Sequence, residues 1–512
     1  MPNRSRSRKT SDRNWLQTPN SWESSYWYVP ICRSPNRRAT IGRAAVLFPL
    51  FCLALPLAAL VFGTQVEMSS CFAKEPEKKP ISFRSDVATI LLDNCIACHG
   101  PKKAEGGYRI DTFDELLKPG DTGELPIVTA KPTSGELIRR IMSSDKSERM
   151  PADADALTIP QIEVLKRWVT EGAKFDGDKG NVTLNLVIPP RQFADPPSTY
   201  PAPTPITAMA FSPDGSLLLV GSYHEVTVWK TVDGLLSRRI KNIGQRINAI
   251  IFLADQKTIA VGCGEPGRNG EVRLIDFESG QLKGVVARTS DVVFDIAVRP
   301  AQKGSADPAT QIAQPASNEI AVASADGLIR IVNTDTLAEI RTIANHADWV
   351  TSIAWSDDGT RLVSGSRDKS AKVFNANTGE LLVSYPGHAA AVRGVAFLPD
   401  GKQVYSAGTD KKLHRWDAET AKKTSEVSVG GEVYKIVRGD TFVFVPSADN
   451  QLRRINQSDN KVTHTLAGYQ DWVLSTCYHA GTNQIAGGAM NGEVRLWNAT
   501  DGTLIRNWIA KP

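Results

Sequence analysis

The chain has 512 residues, 41% hydrophobic and 22% charged, with a formal net charge of +5. That charge is concentrated at one end. Residues 1–73 hold nine basic side chains against three acidic ones, which leaves the remainder at −1 and without overall cationic attraction for nucleic acid. Seven cysteines spread over such a length exclude a disulfide scaffold, and the length itself calls for more than one domain.

Residues 1–43 are polar and basic, a composition that predicts disorder. Residues 44–63 then run for twenty positions without a charge, rich in Leu, Ala, Val and Phe. This length spans a bilayer and equally suits the core of an export signal. Residues 44–73 are therefore read as a signal peptide, with Ser70-Cys71-Phe72-Ala73 permitting cleavage, or as a retained membrane anchor through 44–63. The basic flank precedes the apolar run, so the positive-inside rule sends the C-terminal part of the chain out of the cytoplasm. Arg37-Arg38 is a weak twin-arginine signal, and the Arg- and Ser-rich, acid-poor leader also resembles an organelle presequence.

A helix is predicted from about Ile81, with Ser82 or Ser85 as its cap and Val87, Ile90 and Leu91 on one face. It runs into Cys95-Ile96-Ala97-Cys98-His99, a spacing that reads as a covalent haem c site. Two thiols three residues apart add to the two vinyl groups of a haem, and the adjacent His99 places an imidazole on the iron. A redox dithiol does not need that histidine, and no second Cys pair is present to complete a zinc site. No other His precedes residue 205, so the sixth ligand is Met150, Met142 or none. Met150 is favoured because Pro151 fixes its loop; Ile138, Ile141 and Met142 read as an inward helix face. A second helix is announced by Thr158-Ile159-Pro160-Gln161, with Ile162, Leu165 and Trp168 on one stripe and Gly172 as its stop. These elements delimit an all-α domain over residues 81–178.

Residues 179–205 contain seven prolines and read as a linker, with one strand possible across Val182–Ile188. From residue 206 to 512 the sequence repeats about every 40 residues, beginning at Ile206, Ile247, Val293, Val350, Val392, Val433 and Val473. Each unit has an alternating strand, a turn, a small-residue strand such as Leu362-Val363-Ser364-Gly365-Ser366, and a further strand ending near a Trp in the clearest copies. Such units cannot bury both faces alone, which predicts an all-β, seven-bladed propeller with a surface insert at 301–317. Residues near the start of each innermost strand line one rim. Arg246, Phe294, Trp349, Arg393, Tyr434 and Trp472 stand there, and Arg, Trp and Tyr dominate binding hot spots.

The repeats resemble WD-repeat propellers. Gly387-His388 with Ser406, Asp410 and Trp416-Asp417 matches that family's hydrogen-bonded tetrad, and Asn345-His346 with Asp368 and Phe374 is a partial copy, so both histidines are expected to be structural. The signature decays in the second, third and sixth units. The first domain is similar to the cytochrome c domain common in planctomycete proteins. The resemblance rests on Cys95-Ile96-Ala97-Cys98-His99-Gly100, Gly106-Gly107-Tyr108-Arg109-Ile110-Asp111-Thr112, Lys131-Pro132-Thr133-Ser134-Gly135-Glu136-Leu137-Ile138, Met150-Pro151 and Trp168-Val169-Thr170-Glu171-Gly172-Ala173. Pro151-Ala152 departs from the Pro-Pro of that pattern. The resemblance implies one haem c on Cys95 and Cys98, with His99 and Met150 as axial ligands. The expected protein is multidomain: a small all-α cytochrome c domain followed by an all-β seven-bladed WD-repeat propeller. Its expected work is extracytoplasmic one-electron transfer, with redox partner proteins docking on the propeller. A haem enzyme or gas sensor with an open sixth site, and an interaction scaffold with a vestigial haem domain, are the competing expectations.

Overall fold

The computed structural model describes residues 79–512 apart from Ala97, Pro101, Lys102, Asp153 and 301–317. The expectations for residues 1–73 and for the insert at 301–317 lie outside the described residues. Ser82 opens the first domain by accepting a hydrogen bond from the Ser85 amide, which caps a wide turn at Phe83–Val87 leading into α1 (Ala88–Asn94). Phe83, Val87, Ala88 and Leu91 bury one stripe of this segment completely. Short helices α2 (Phe113–Leu116) and α3 (Glu136–Ile141) add Leu116, Ile138 and Ile141 to the same core. The terminal helix α4 (Ile159–Thr170) starts where Gln161 Oε1 accepts from the Thr158 amide at 2.9 Å, with Pro160 in the first turn. It buries Leu165, Trp168 and Val169. The Trp168 indole donates to the Lys174 carbonyl at 2.9 Å, which holds the chain past Gly172 against the helix.

One expectation fails here. Val182–Ile188 is not a strand: α5 (Leu184–Val187) is a single helical turn whose Leu184 and Val187 are buried in the first domain's core. Leu184 donates to the Asp111 carbonyl and Thr183 bridges Thr112. The alternating pattern was local; the three-residue spacing that reaches the core decided the conformation.

Beyond α5 the chain forms seven antiparallel sheets, each of four strands consecutive in sequence, spanning 208–240, 246–289, 293–343, 350–385, 392–428, 437–466 and 473–509. The small residues of each second strand explain how neighbouring blades approach. A Cβ on Gly365 would lie 2.7 Å from a Val392 methyl of the next blade, and Gly221 and Gly262 stand in the same relation to Ile247 and Val293. Gly488 meets Ile206 in this way, so blade 7 closes on blade 1 by the same packing, helped by a hydrogen bond from the Ile206 amide to the Ala489 carbonyl at 3.2 Å.

The sixth blade departs from the expected repeat. Its innermost strand is reduced to Val437–Arg438, and Val433 makes only an isolated bridge to Ser447. Pro446 stands in the neighbouring strand Phe442–Ser447 and has no N–H to offer the ladder, so regular pairing stops there.

The tetrad in blade 5 is complete. His388 donates from Nδ1 to Asp410 at 2.8 Å and accepts at Nε2 from Ser406 at 2.8 Å, while the Trp416 indole donates to Ser406 at 3.0 Å. Blade 4 keeps His346, Asp368 and Ser364 with Phe374 in the tryptophan position. His388, Asp410 and His414 bring ligand-type atoms within 4.8 Å of one another, yet His388 uses both ring nitrogens in the tetrad, so the cluster is structural.

The proline-rich segment is strapped to blades 1 and 2. Arg288 donates to the Ile188 carbonyl at 2.9 Å and Arg273 to the Arg191 carbonyl at 2.5 Å. Arg239 reaches the Pro197 and Ser198 carbonyls at 2.7 and 2.8 Å. Buried Glu271 and Glu225 pair with these guanidiniums from the blades. Prolines suit such a strap because they lack N–H groups to satisfy and leave carbonyls for the arginines.

Candidate functional site

The cysteine motif follows directly on α1, which ends at Asn94 with Cys95 as its cap. The amides of Cys98 and His99 both donate to the Cys95 carbonyl, at 3.2 and 3.1 Å, and Cys95 itself donates to Leu91 at 2.9 Å. The first two bonds draw Cys98 and His99 back toward Cys95, and His99 pairs with Ala104 beyond the turn. Gly100 follows because a Cβ there would lie 2.7 Å from the Ile96 carbonyl oxygen. Cys95 and Cys98 are half-buried and carry no disulfide. Burial, and secondly Cys98, push the Cys95 thiol up to about 11, so it stays protonated at neutral pH.

His99 is oriented by Tyr108, a residue whose role no side-chain pattern in the sequence gives away. The His99 Nδ1 lies 3.2 Å from the Tyr108 carbonyl oxygen, and the Tyr108 ring stands edge-on to the imidazole at 5.5 Å. A carbonyl only accepts, so the proton sits on Nδ1 and the lone pair on Nε2, the tautomer that ligates a metal. Tyr108 is anchored in turn by its hydroxyl, which donates to Leu116 at 2.9 Å, and the Ile110 amide donates to His99 at 2.9 Å. The only sequence signal for this support was Gly106-Gly107-Tyr108 close behind the motif.

Met150 and Cys95 both pack, half-buried, against the apolar core of this domain. The Met150 amide is held by the Arg140 carbonyl at 3.2 Å, which ties its loop to the end of α3. Met142 behaves differently from the inward face read in the sequence. Ile138 and Ile141 are buried, but Met142 caps α3 with 48% of its surface exposed. Arg109 forms a two-pronged pair with Asp111, both contacts at 2.8 Å. The donor set of two free thiols, a correctly protonated imidazole and a half-buried thioether is chemically suited to a covalent haem.

On the propeller, Phe294 and Trp349 of adjacent blades meet at 5.5 Å between ring centroids, and the Arg367 guanidinium lies 4.6 Å over Trp349. Arg246 stands 6.0 Å over Tyr223. Arg393 and Tyr434 are half-buried, and Trp472 is 41% exposed. Phe294 and Trp349, both candidates, are thus brought into contact across the blade boundary.

Residues 95–153 match the family model of planctomycete cytochrome C. This stretch contains Cys95, Cys98, His99 and Met150. The WD domain, G-beta repeat model matches residues 195–230, 337–375, 379–417 and 460–498. The first domain is similar to planctomycete cytochrome c, and the second is a seven-bladed WD-repeat propeller. The four matched stretches carry inner strands of blades 1, 4, 5 and 7, while blades 2, 3 and 6 are recognisable from the structure. No curated protein matches the chain.

Proposed function

We propose that this protein is an extracytoplasmic c-type cytochrome that carries single electrons, with the propeller as a docking platform for redox partner proteins. The observation that supports it most is the turn Cys95–His99, where the amides of Cys98 and His99 converge on the Cys95 carbonyl and Tyr108 fixes the imidazole tautomer. Cys95 and Cys98 would hold one haem c as thioethers, and His99 and Met150 would supply the iron's protein ligands. When bound, the haem supplies reversible one-electron chemistry at the iron. Met150 would provide a soft sulfur donor, which favours the ferrous state and would compete with a small gas for the iron. Tyr108 keeps His99 in its ligating tautomer, and the core under α1 and α4 keeps water from one side of the site. The uncharged stretch 44–63 behind a basic flank supports export, with membrane association if it is not cleaved.

The test is the ferric and ferrous optical spectrum of the full chain, made in a host that attaches haem c, beside its Met150→Ala variant. The reading expects a weak long-wavelength sulfur-to-iron band in the parent, lost in the variant, and a ferrous form that binds carbon monoxide only in the variant. A parent without the band that already binds carbon monoxide would overturn the His/Met assignment and favour a gas-binding haem protein.

A further inference from the structure

The short helical turn α5 is gripped from two sides with no slack between them. Toward the first domain, Leu184 and Val187 are buried in the core. The Leu184 amide donates to the Asp111 carbonyl at 2.8 Å, and the Arg84 side chain donates to the Val187 carbonyl at 2.8 Å. Toward the propeller, the next two carbonyls, of Ile188 and Pro189, accept from Arg288 at 2.9 and 3.3 Å, and Arg273 donates to the Arg191 carbonyl. Ile188 belongs to both grips, since its side chain packs against the first domain's core while its carbonyl is held by the propeller. Accordingly α5 touches both α1, which ends at the cysteine motif, and the outer strand Leu282–Thr289 of blade 2.

The same contacts continue from α5 to His99. Asp111, whose carbonyl holds Leu184, follows buried Ile110, whose amide donates to the His99 carbonyl at 2.9 Å. Two residues earlier, the Tyr108 carbonyl accepts from the imidazole at 3.2 Å. Residues 108–112 thus fasten His99 at its ring and its backbone on one side and α5 at Leu184 on the other, and Thr112 adds a bridge to Thr183. A single helical turn is too short to be stable by itself, so α5 depends on what grips its two ends. Losing the Arg288 bonds frees its C-terminal end. Contiguous packed and hydrogen-bonded groups carry such a loosening onward, and here they lead through Leu184 and Asp111 to the imidazole.

We infer that α5 couples the two domains: the hold of the strap on blade 2 sets how firmly residues 108–112 fix His99. By linkage the effect is reciprocal, so a partner protein that lifts the strap loosens His99, and a ligand that fixes His99 tightens the strap. The redox consequence rests on the reading of His99 as a ligand of the iron; the coupling itself does not. The test is hydrogen–deuterium exchange, read by mass spectrometry, on the full chain and on Arg288→Met, which leaves buried Glu271 paired with Arg273 at 2.9 Å. Exchange is expected to rise about ten-fold or more in peptides covering 182–188 and 108–116, with blade 5 (392–428) unchanged. Inserting Gly-Ser-Gly-Ser between Ile188 and Pro189 supplies slack without removing a side chain, and in that background Arg288→Met is expected to leave 108–116 unaffected. Should Arg288→Met also loosen blade 5, Arg288→Lys keeps a cation beside Glu271 and is judged on the same stretches. Acceleration confined to the strap, with 108–116 at the parental rate, would overturn the proposal, as would an equal effect of Arg288→Met with and without the insertion. These readouts need no haem, so a chain that fails to attach haem would sink the electron-transfer reading and leave the coupling standing.

Discussion

Replacing Arg273 by Met isolates what holds the proline-rich strap on the propeller. The Arg273 side chain has no exposed surface, pairs with Glu271 at 2.9 Å, and donates to the Asn242 and Arg191 carbonyls at 2.6 and 2.5 Å. Its guanidinium also lies 4.5 Å from the centre of the Phe193 ring. Met fills a similar volume but leaves Glu271, itself 3% exposed, with Arg288 alone at 3.5 Å and strips both carbonyls of their donor. Removing one partner of a buried ion pair costs about 3–5 kcal/mol, and the residual Arg288 contact sets the expectation at the lower end. Urea unfolding followed by tryptophan fluorescence reads the loss, and limited proteolysis within 191–200 should rise with it. A loss under about 1 kcal/mol with unchanged proteolysis would refute the claim that the buried guanidinium fixes the strap.

Other perturbations test separate parts of the account. His414 is buried and stacked on His388 at 4.1 Å; burial, then His388, lower its pKa to about 4 despite Glu426 at 3.2 Å. The unfolded chain takes up that proton near pH 6.5 and the folded one only near 4, so stability should fall as pH drops through this window and level off below it. The loss amounts to about 3 kcal/mol, and His414→Gln should flatten it in urea titrations across the window; an unchanged slope would show that other groups cause it. Gly488→Ala puts a methyl against Ile206 at the closure of the ring and should cost about 1–3 kcal/mol, whereas Gly123→Ala, a left-handed position with open space around it, should cost only its backbone strain; equal losses in chemical denaturation would contradict the seam packing. His388→Ala removes the bonds to Asp410 and Ser406 together and should lower stability by about 2–4 kcal/mol, a larger loss than from alanine at exposed Val462. Similar values for the two would count against the tetrad as a stabilising unit.

Much of the architecture was readable because its signals are local. The cap at Ser82, the Thr158–Gln161 start of α4, the cysteine motif and the 40-residue repeat each encode one element within a few residues of themselves. Features that escaped such a reading depend on distant partners. Whether 182–188 became a strand or a helical turn was decided by a core reached through Leu184 and Val187. The exposure of Met142 followed from where α3 ends, one residue beyond buried Ile141. The same holds for Arg239, Arg273 and Arg288, which look like outer-strand surface residues until the strap they clasp is in place. At the candidate haem site the ligand types were written in the motif, but the carbonyl of Tyr108 that sets the imidazole tautomer is a backbone group, invisible to any reading of side chains.

A covalent haem on Cys95 and Cys98 is the claim on which the functional reading turns. Full-length protein from a host with haem-attachment machinery, boiled in detergent and run on a denaturing gel, should show peroxidase stain migrating with the polypeptide. The stain should vanish in Cys95→Ser/Cys98→Ser. A polypeptide band that carries no stain in the parent would contradict the account.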